Sequence, residues 1–445
     1  MLIQKRKKVK HSAFFSYEFD KFLKMIYNNF RISRRNGKME KFRTIIVGAG
    51  AAGLMAALRL GEAGCKGVLL LERNDRAGRK LSSTGNGQGN ITNADLSEAH
   101  YRSSDKRLVA SVLHRVGKDE LLRYMESLGG LFIPDESGRI YPASRQASSV
   151  TDLLRFRLAA LNIPLQVGKK VTAVQKRGNI FIVYADGAEY SCRSLILACG
   201  GKAAPHFGTD GNGYTLARAF GHTITQLRPS LVQWKTDAAA VRGLRGTRCG
   251  CHVTLLRGGN KRIAATEGDI IFTDYGISGN AVFYLSPLMR EGDTLSIDFL
   301  PEVAENKLLQ ILQHKAETYP AMPTEDLFRC IVNSAIGKSI IRRCGVEPTK
   351  PVRMLADKLN ILVHMAKNYE VQLVGSLGFD SAQVTQGGVL ATELDQNLMS
   401  RKAEGLYIVG ELVDADGDCG GYNLQWAFSS GWVAAEAILQ GERCE

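Results

Sequence analysis

The first patterned stretch of the chain is Thr44–Val47, a short β-branched run of the kind that a strand buried on both faces carries. Ala51–Ala63 then follows helical spacing, and Val68–Leu71 supplies a second buried-strand run. Residues 74–93 are polar and glycine-rich, too poor in apolar side chains to be core, and predict a long ligand-facing loop. Helical patterns recur around Lys106–Leu128 and Ser148–Leu161. Ala173–Gln175 and Ile180–Tyr184 flank an Arg177-Gly178-Asn179 turn as a hairpin. Ser194–Ala198 reads as another buried strand, running into Gly200-Gly201, with a helix near Gly213–Gly221. From about Pro229 short alternating segments take over: Val232–Thr236, Cys251–Leu256, Ile270–Thr273 and Thr294–Phe299, a texture of small barrel or sandwich. A helical stretch, Glu302–Lys367, is broken at Pro320 and Pro323. Strand-like Gln383–Thr385 and Leu406–Val409 then lead to a last helix after Tyr422. The layout expected is α/β: a Rossmann-type domain in two pieces, 43–230 and 366–445, interrupted by an insert, 231–365, that joins a β-barrel to a helical subdomain.

Glycine positions turn this pattern into chemistry. Gly48, Gly50 and Gly53 form G-x-G-x-x-G between the first strand and its helix, and Glu72 closes the second strand nineteen residues later. That is the dinucleotide fingerprint in its required context. Gly48 permits the tight turn, Gly50 lets backbone approach a pyrophosphate, and Gly53 lets helix and strand pack closely. The helix start at Ala51 and Ala52 offers free N–H groups and a positive dipole end. Glu72 suits an adenosine ribose. A second unit lies far away: Gly405–Val409 ends at Gly410-Glu411, and Gly420, Gly421, Tyr422, Asn423 and Leu424 open the final helix. An acid directly after a strand, beside a second glycine-lined helix start, suits the ribityl hydroxyls and flavin edge of FAD better than NAD.

Composition narrows the setting. With 445 residues, 44% of them hydrophobic, the chain can bury two or three domains. Residues 1–38 hold eleven Lys/Arg and two acids, so most of the formal +14 sits there. Phe15, Phe19, Phe22, Ile26 and Phe30 fall near one helical face. An amphipathic membrane-surface helix, a targeting segment and translation from an upstream start all fit; residues 1–42 are read as a basic, disordered or loosely helical appendage outside the chemistry. Arg242, Arg245, Arg248, Arg257, Lys261 and Arg262 occur with no acid between them, either a solvated loop or a footprint for RNA phosphates. Nine scattered cysteines with no C-x-x-C pair indicate reduced thiols and a cytoplasmic setting, and no metal site is expected. No run of eighteen apolar residues is long enough to span a membrane.

Gly78-Arg79-Lys80-Leu81, Thr84-Gly85-Asn86-Gly87, Asn90-Ile91-Thr92-Asn93, Phe272-Thr273 with Gly276-Ile277-Ser278-Gly279, Val384–Val389 and the Gly410–Gln425 block resemble the BaiN/YhiN family, the aminoacetone-oxidase-like NAD(P)/FAD-dependent oxidoreductases. The resemblance covers about residues 43–440. It implies non-covalent FAD in a Rossmann domain interrupted by a barrel and helical insert. One departure stands out: where the family usually carries Arg-Cys, this chain has Gln88-Gly89, which marks a subgroup with a different substrate. Fingerprint and resemblance together give the expected FAD-binding set: Gly48, Gly50, Ala51, Ala52, Gly53, Glu72, Arg73, Arg79, Lys80, Thr84, Gly85, Asn86, Val171, Gly200, Gly410, Glu411, Gly420, Gly421, Tyr422, Asn423 and Leu424. Lys80, Asn90, His206 and Tyr275 are the candidates for catalysis, the last two as proton donors. A second G-x-G-x-x-G after a strand is absent, so NAD(P)H is expected as a transient donor. The expected activity is reduction of an activated C=C bond in a cyclic small molecule. The alternatives are reduction of uracil to dihydrouridine in ribosomal RNA and oxidation of a small amine by O2.

Overall fold

The structure, a computed structural model, describes residues 39–259 and 261–443. The reading made for residues 1–38 lies outside them. Glu40–Lys41, placed in the appendage from sequence, instead forms a short strand parallel to Tyr190–Ser191.

The central sheet has five parallel strands in the spatial order Leu406–Ile408, Ser194–Leu197, Thr44–Val47, Val68–Leu71 and Leu165–Gln166. Thr44–Val47 and Val68–Leu71 match their expected bounds and are buried throughout, as continuous apolar runs in a covered parallel sheet must be. The Ala51–Glu62 helix packs on this sheet and against the C-terminal helix, Tyr422–Arg443. Their crossing is tight: a Cβ on Gly431 would lie 2.2 Å from the Ala52 carbonyl oxygen.

The hairpin grows into three antiparallel strands, Val171–Arg177, Ile180–Ala185 and Ala188–Cys192. Lys106–Leu128 divides into two helices, Lys106–Arg115 and Lys118–Ser127, parted around Gly117, whose N–H is capped by the Glu120 carboxylate at 3.0 Å. A small antiparallel sheet, Thr92–Asn93 with Arg139–Pro142 and Phe132–Pro134, was not legible in the sequence.

The insert is a closed six-stranded antiparallel barrel with its own core, separate from that of the Rossmann domain. Its strands are Trp234–Thr236, Arg248–Arg257, Lys261–Phe272, Gly276–Ser278, Thr294–Asp298 and Tyr369–Ser376. The sixth strand follows the helical stretch, so the barrel closes with residues beyond the 365 boundary drawn from sequence. That helical stretch contains Glu305–Thr318, Ser334–Arg343 and Leu359–Lys367.

Candidate active site

The glycine turn after Thr44–Val47 is dictated by close backbone approach. Gly48 has φ of +103°, and a Cβ there would meet the Ala198 carbonyl oxygen at 2.4 Å. A Cβ on Gly53 would sit 1.8 Å from the Gly48 carbonyl oxygen, so Gly53 is a packing glycine and does not line the cleft. Gly50 is different: a Cβ there would meet nothing within 4 Å, because the residue faces open space. No side chain caps the helix that starts at Ala51, which leaves its first N–H groups for a ligand. Glu72 is 6% exposed and stabilises this turn: one carboxylate oxygen accepts from Ala49 N and the other from Asn74 N and Nδ2, each at 2.8 Å.

The second glycine unit converges on the first. The Gly410 N–H donates to Ser430 Oγ (2.9 Å), and Trp426 Nε1 donates to the Gly410 carbonyl (3.0 Å), so the C-terminal helix holds the turn in place. A Cβ on Gly410 would be 3.0 Å from that of Ala52. Glu411 accepts from the Thr385 backbone N–H (2.9 Å) and pairs with Lys80 Nζ (2.7 Å), two residues 331 apart in sequence. Asn423 clamps the preceding loop, with Nδ2 donating to the Gly417 carbonyl (2.8 Å) and Oδ1 accepting from the Gly417 N–H (2.9 Å).

Both units open into one cleft of about 930 Å³, at the large end of the usual range for cofactor sites. Its walls include Gly48, Gly50, Ala51, Ala52, Glu72, Arg73, Arg79, Lys80, Thr84, Gly85, Asn86, Asn90, Val171, Gly200, His206, Gly410, Glu411, Gly420, Gly421, Asn423 and Leu424. Besides Gly53, two expected residues are elsewhere. Tyr422 stacks on His100 at 4.4 Å and is buried in packing, while Tyr275 lies in the turn before Gly276, off the cleft wall. His206 belongs to the Glu72 end, since the Asn74 side chain that bonds Glu72 also donates to the neighbouring Phe207 carbonyl (3.1 Å). There too, burial pushes the Asp210 carboxyl up, but Arg73 (2.6 Å) and Lys170 (3.2 Å) outweigh it and hold it at about 2.

The cleft extends past the Rossmann residues to the barrel, where Gln233, Arg248, Asp269, Ile271, Asn280 and Phe283 form its wall. Two of its polar atoms, Asn90 Oδ1 and Gln233 Oε1, are buried with no hydrogen-bond partner among the described residues. Apart from Arg248, singled out only as part of the cationic run, sequence reasoning missed this barrel wall and the cleft residues Arg139 and Tyr141, because no local motif marks them.

Residues 42–437 match the HI0933-like protein Rossmann domain family. The chain belongs to that family. It is an FAD-dependent oxidoreductase with a Rossmann-type FAD-binding fold. It is 34% identical over 404 residues to the 3-dehydro-bile acid delta(4,6)-reductase of Clostridium scindens, covering 89% of this chain and 98% of the relative. It is 29% identical over 415 residues to the ribosomal RNA dihydrouridine synthase of Escherichia coli K12, covering 90% and 99%. A solved 3-ketosteroid-delta4-(5alpha)-dehydrogenase from Rhodococcus jostii aligns with a TM-score of 0.47 at 15% identity, covering 91% of this chain and 99% of that one.

The residues present fit FAD. An uncapped helix start, a glycine that faces open space and an unpartnered buried acceptor share a single cleft with two carboxylates at separate points along it. None of the described residues forms a metal-binding group, and no described helix is long and apolar enough to cross a membrane.

Proposed function

We propose that the protein reduces an activated C=C bond in a cyclic small molecule, with NAD(P)H as electron donor through FAD. The observation that carries this reading is the length of the cleft. It runs beyond both glycine units to the barrel wall, and so leaves room for an acceptor beside the cofactor. The bile acid reductase among the relatives supports the substrate class.

In this reading the Ala51 and Ala52 N–H groups bind the pyrophosphate, Glu72 the ribose and Glu411 the ribityl hydroxyls. Lys80 orients Glu411 through its 2.7 Å ion pair. Gly420, Gly421 and Asn423 stand at the flavin end, with Arg73, Arg79, Thr84, Gly85, Asn86, Val171, Gly200 and Leu424 lining the rest. FAD supplies two-electron transfer between nicotinamide and acceptor, while the protein positions the substrate and excludes water.

Rapid-mixing reduction of the flavin-loaded protein by NADH and NADPH, followed by reoxidation with a conjugated cyclic ketone or O2, tests the reading. Faster reoxidation by the ketone is expected. Flavin reduction by a small amine, but by neither nicotinamide, would overturn it in favour of an oxidase.

A second reading, reduction of uracil in ribosomal RNA, draws on the dihydrouridine synthase relatives and the Arg242–Arg262 run. The fold dilutes that run: Arg245 lies 3.7 Å from Asp274, Arg257 binds Asp293 through two 2.8 Å bonds, and Arg248 pairs with Asp269. Neutralising Arg242, Arg245, Lys261 and Arg262 together is therefore expected to leave RNA retention and its salt dependence unchanged. A clear fall in the salt slope would favour the RNA reading.

A further inference from the structure

The Gly420–Gly421 end of the cleft gathers groups that no sequence motif brings together. Arg139 and Cys419 both face the cleft there. Arg139 is the register partner of Asn93 across the small antiparallel sheet, and Asn93 Nδ2 donates to the Gly420 carbonyl at 3.0 Å. The strand that carries Arg139 is thereby tied to the residue after Cys419. The Arg139 side chain makes no hydrogen bond or ion pair with the described residues, whereas Arg102, Arg155, Arg248 and Arg257 are all paired. Asn90 lies beside them, 8% exposed, with an Oδ1 that has no partner; a Cβ on Gly421 would come within 2.7 Å of it. Gln88 and Gly89, on the same loop, bring neither a charge nor a thiol.

The electrostatics favour a proton held on sulfur. Burial pushes the Cys419 thiol up, the Arg139 guanidinium pulls the other way, and Asp418 pushes up again. Asp418 is itself held by Arg102 (2.7 Å) and His100 (3.2 Å). The net shift is upward, so Cys419 remains a neutral thiol in neutral water.

We propose that Cys419 donates the proton and Arg139 holds the carbonyl oxygen of a conjugated-ketone substrate bound at the Gly420–Gly421 end of the cleft. This rests on the reductase reading above. The C=C π bond breaks, its β-carbon gains a hydride equivalent that originates in NAD(P)H, and electron density moves toward the oxygen held by Arg139. The α-carbon then takes the proton from Cys419 Sγ, and the thiolate is reprotonated by water. Across the turnover NAD(P)H and one solvent proton are consumed, and NAD(P)⁺ and the saturated ketone are formed.

The test compares Cys419→Ala and Cys419→Ser with Cys330→Ser, an exposed thiol on the insert. The rate at which a conjugated cyclic ketone reoxidises the reduced protein is expected to fall about 10²–10⁴-fold in C419A, the usual contribution of a positioned general acid. C419S, with a far weaker acid in place, should recover only a small part of it, and C330S should match wild type. The wild-type rate should decline as pH rises through the thiol's titration, a limb that C419A lacks. Arg139→Met should slow the same step, with partial rescue by Arg139→Lys. A second readout needs no turnover: iodoacetamide labelling of Cys419, mapped by mass spectrometry, should be blocked by saturating ketone. A C419A rate within threefold of wild type, or labelling indifferent to ketone, overturns this proposal alone. A wild-type protein whose flavin NAD(P)H reduces but no conjugated ketone reoxidises overturns the reductase reading and this proposal together.

Discussion

Gly431→Ala is a sharp probe of how the two glycine units are held together. In the C-terminal helix an alanine normally gains about 1 kcal/mol over glycine. At 431, however, the new Cβ would lie 2.2, 2.9 and 3.1 Å from the carbonyl oxygen, carbonyl carbon and Cα of Ala52. All three are backbone atoms at the start of the cofactor-binding helix, so no rotamer change relieves the contact. The helices must part by about 1 Å to restore ordinary packing distances, and overpacking of this kind costs about 1–3 kcal/mol, here at the upper end. Net of the propensity gain, a loss of about 2 kcal/mol is expected. In a domain of this size that lowers Tm by about 4–8 °C. The same movement separates the Ala51–Ala52 N–H groups from the Gly410 turn, so FAD affinity should fall about tenfold, the equivalent of one charge-assisted hydrogen bond. Thermal melting and flavin-fluorescence titration measure the two effects. Gly441→Ala, on the same helix with nothing within 4 Å, is the control and should be neutral or slightly stabilising. A G431A protein within about 0.5 kcal/mol of wild type, with unaltered FAD affinity, would refute the reasoning.

Lys80→Met removes the 2.7 Å partner of a half-buried Glu411 and should weaken FAD binding by about 1.5–3 kcal/mol, with Glu411→Gln milder because Thr385 N–H still has its acceptor; equilibrium titration of the apo-protein checks both. Gly89→Cys would not simply restore the family's thiol: φ is +77°, and a Cβ would lie 2.8 Å from Ala147 Cα, so a loss of about 1–3 kcal/mol is expected in urea unfolding. Acid sensitivity should be concentrated in the His222 cluster, where His222 bonds Glu393 (3.0 Å) and Ser400 (2.7 Å). Burial pushes the His222 pKa down. It pushes Glu393 up, but Lys402, Thr223 and His222 outweigh it and hold Glu393 at about 2. Both folded-state pKa values lie below their unfolded counterparts, so this stabilisation is complete above about pH 6.5 and is lost as pH falls toward 2. Unfolding curves between pH 7 and 3 should show that loss reduced in Glu393→Gln.

Residues that act through local backbone geometry could be read from the chain alone. The strands at Thr44 and Val68 and the Gly53 packing contact on Gly48 follow from neighbours within thirty residues, where apolar runs and φ preferences are written directly, whereas the need for glycine at 48 is completed by the remote Ala198 carbonyl. Much of residues 74–90 lines the cleft, as their polar, glycine-rich composition indicates, but Ala77, Leu81 and Ile91 join the core and Thr92–Asn93 forms a strand. Boundaries set by tertiary closure were not legible. The sixth barrel strand, Tyr369–Ser376, is recruited from beyond the helical stretch, and its place depends on pairing with Trp234–Thr236 and Thr294–Asp298. The Arg242–Arg262 run looked unopposed because its countercharges, Asp269, Asp274 and Asp293, come from outside it.

The chain by itself therefore determined the dinucleotide fingerprint and the first two strands of the parallel core, since both depend on spacing along a single strand–turn–helix unit, while the preference for FAD drew on the distant Gly410–Leu424 unit as well. Only the tertiary structure decided which side chains share a site. The Lys80–Glu411 pair, the placement of Arg139 beside Cys419, and the removal of Tyr275 and Tyr422 from the cleft all join or separate residues through sheet register and helix packing. Those contacts are three-dimensional distances between remote segments, and no periodicity in a linear sequence encodes them.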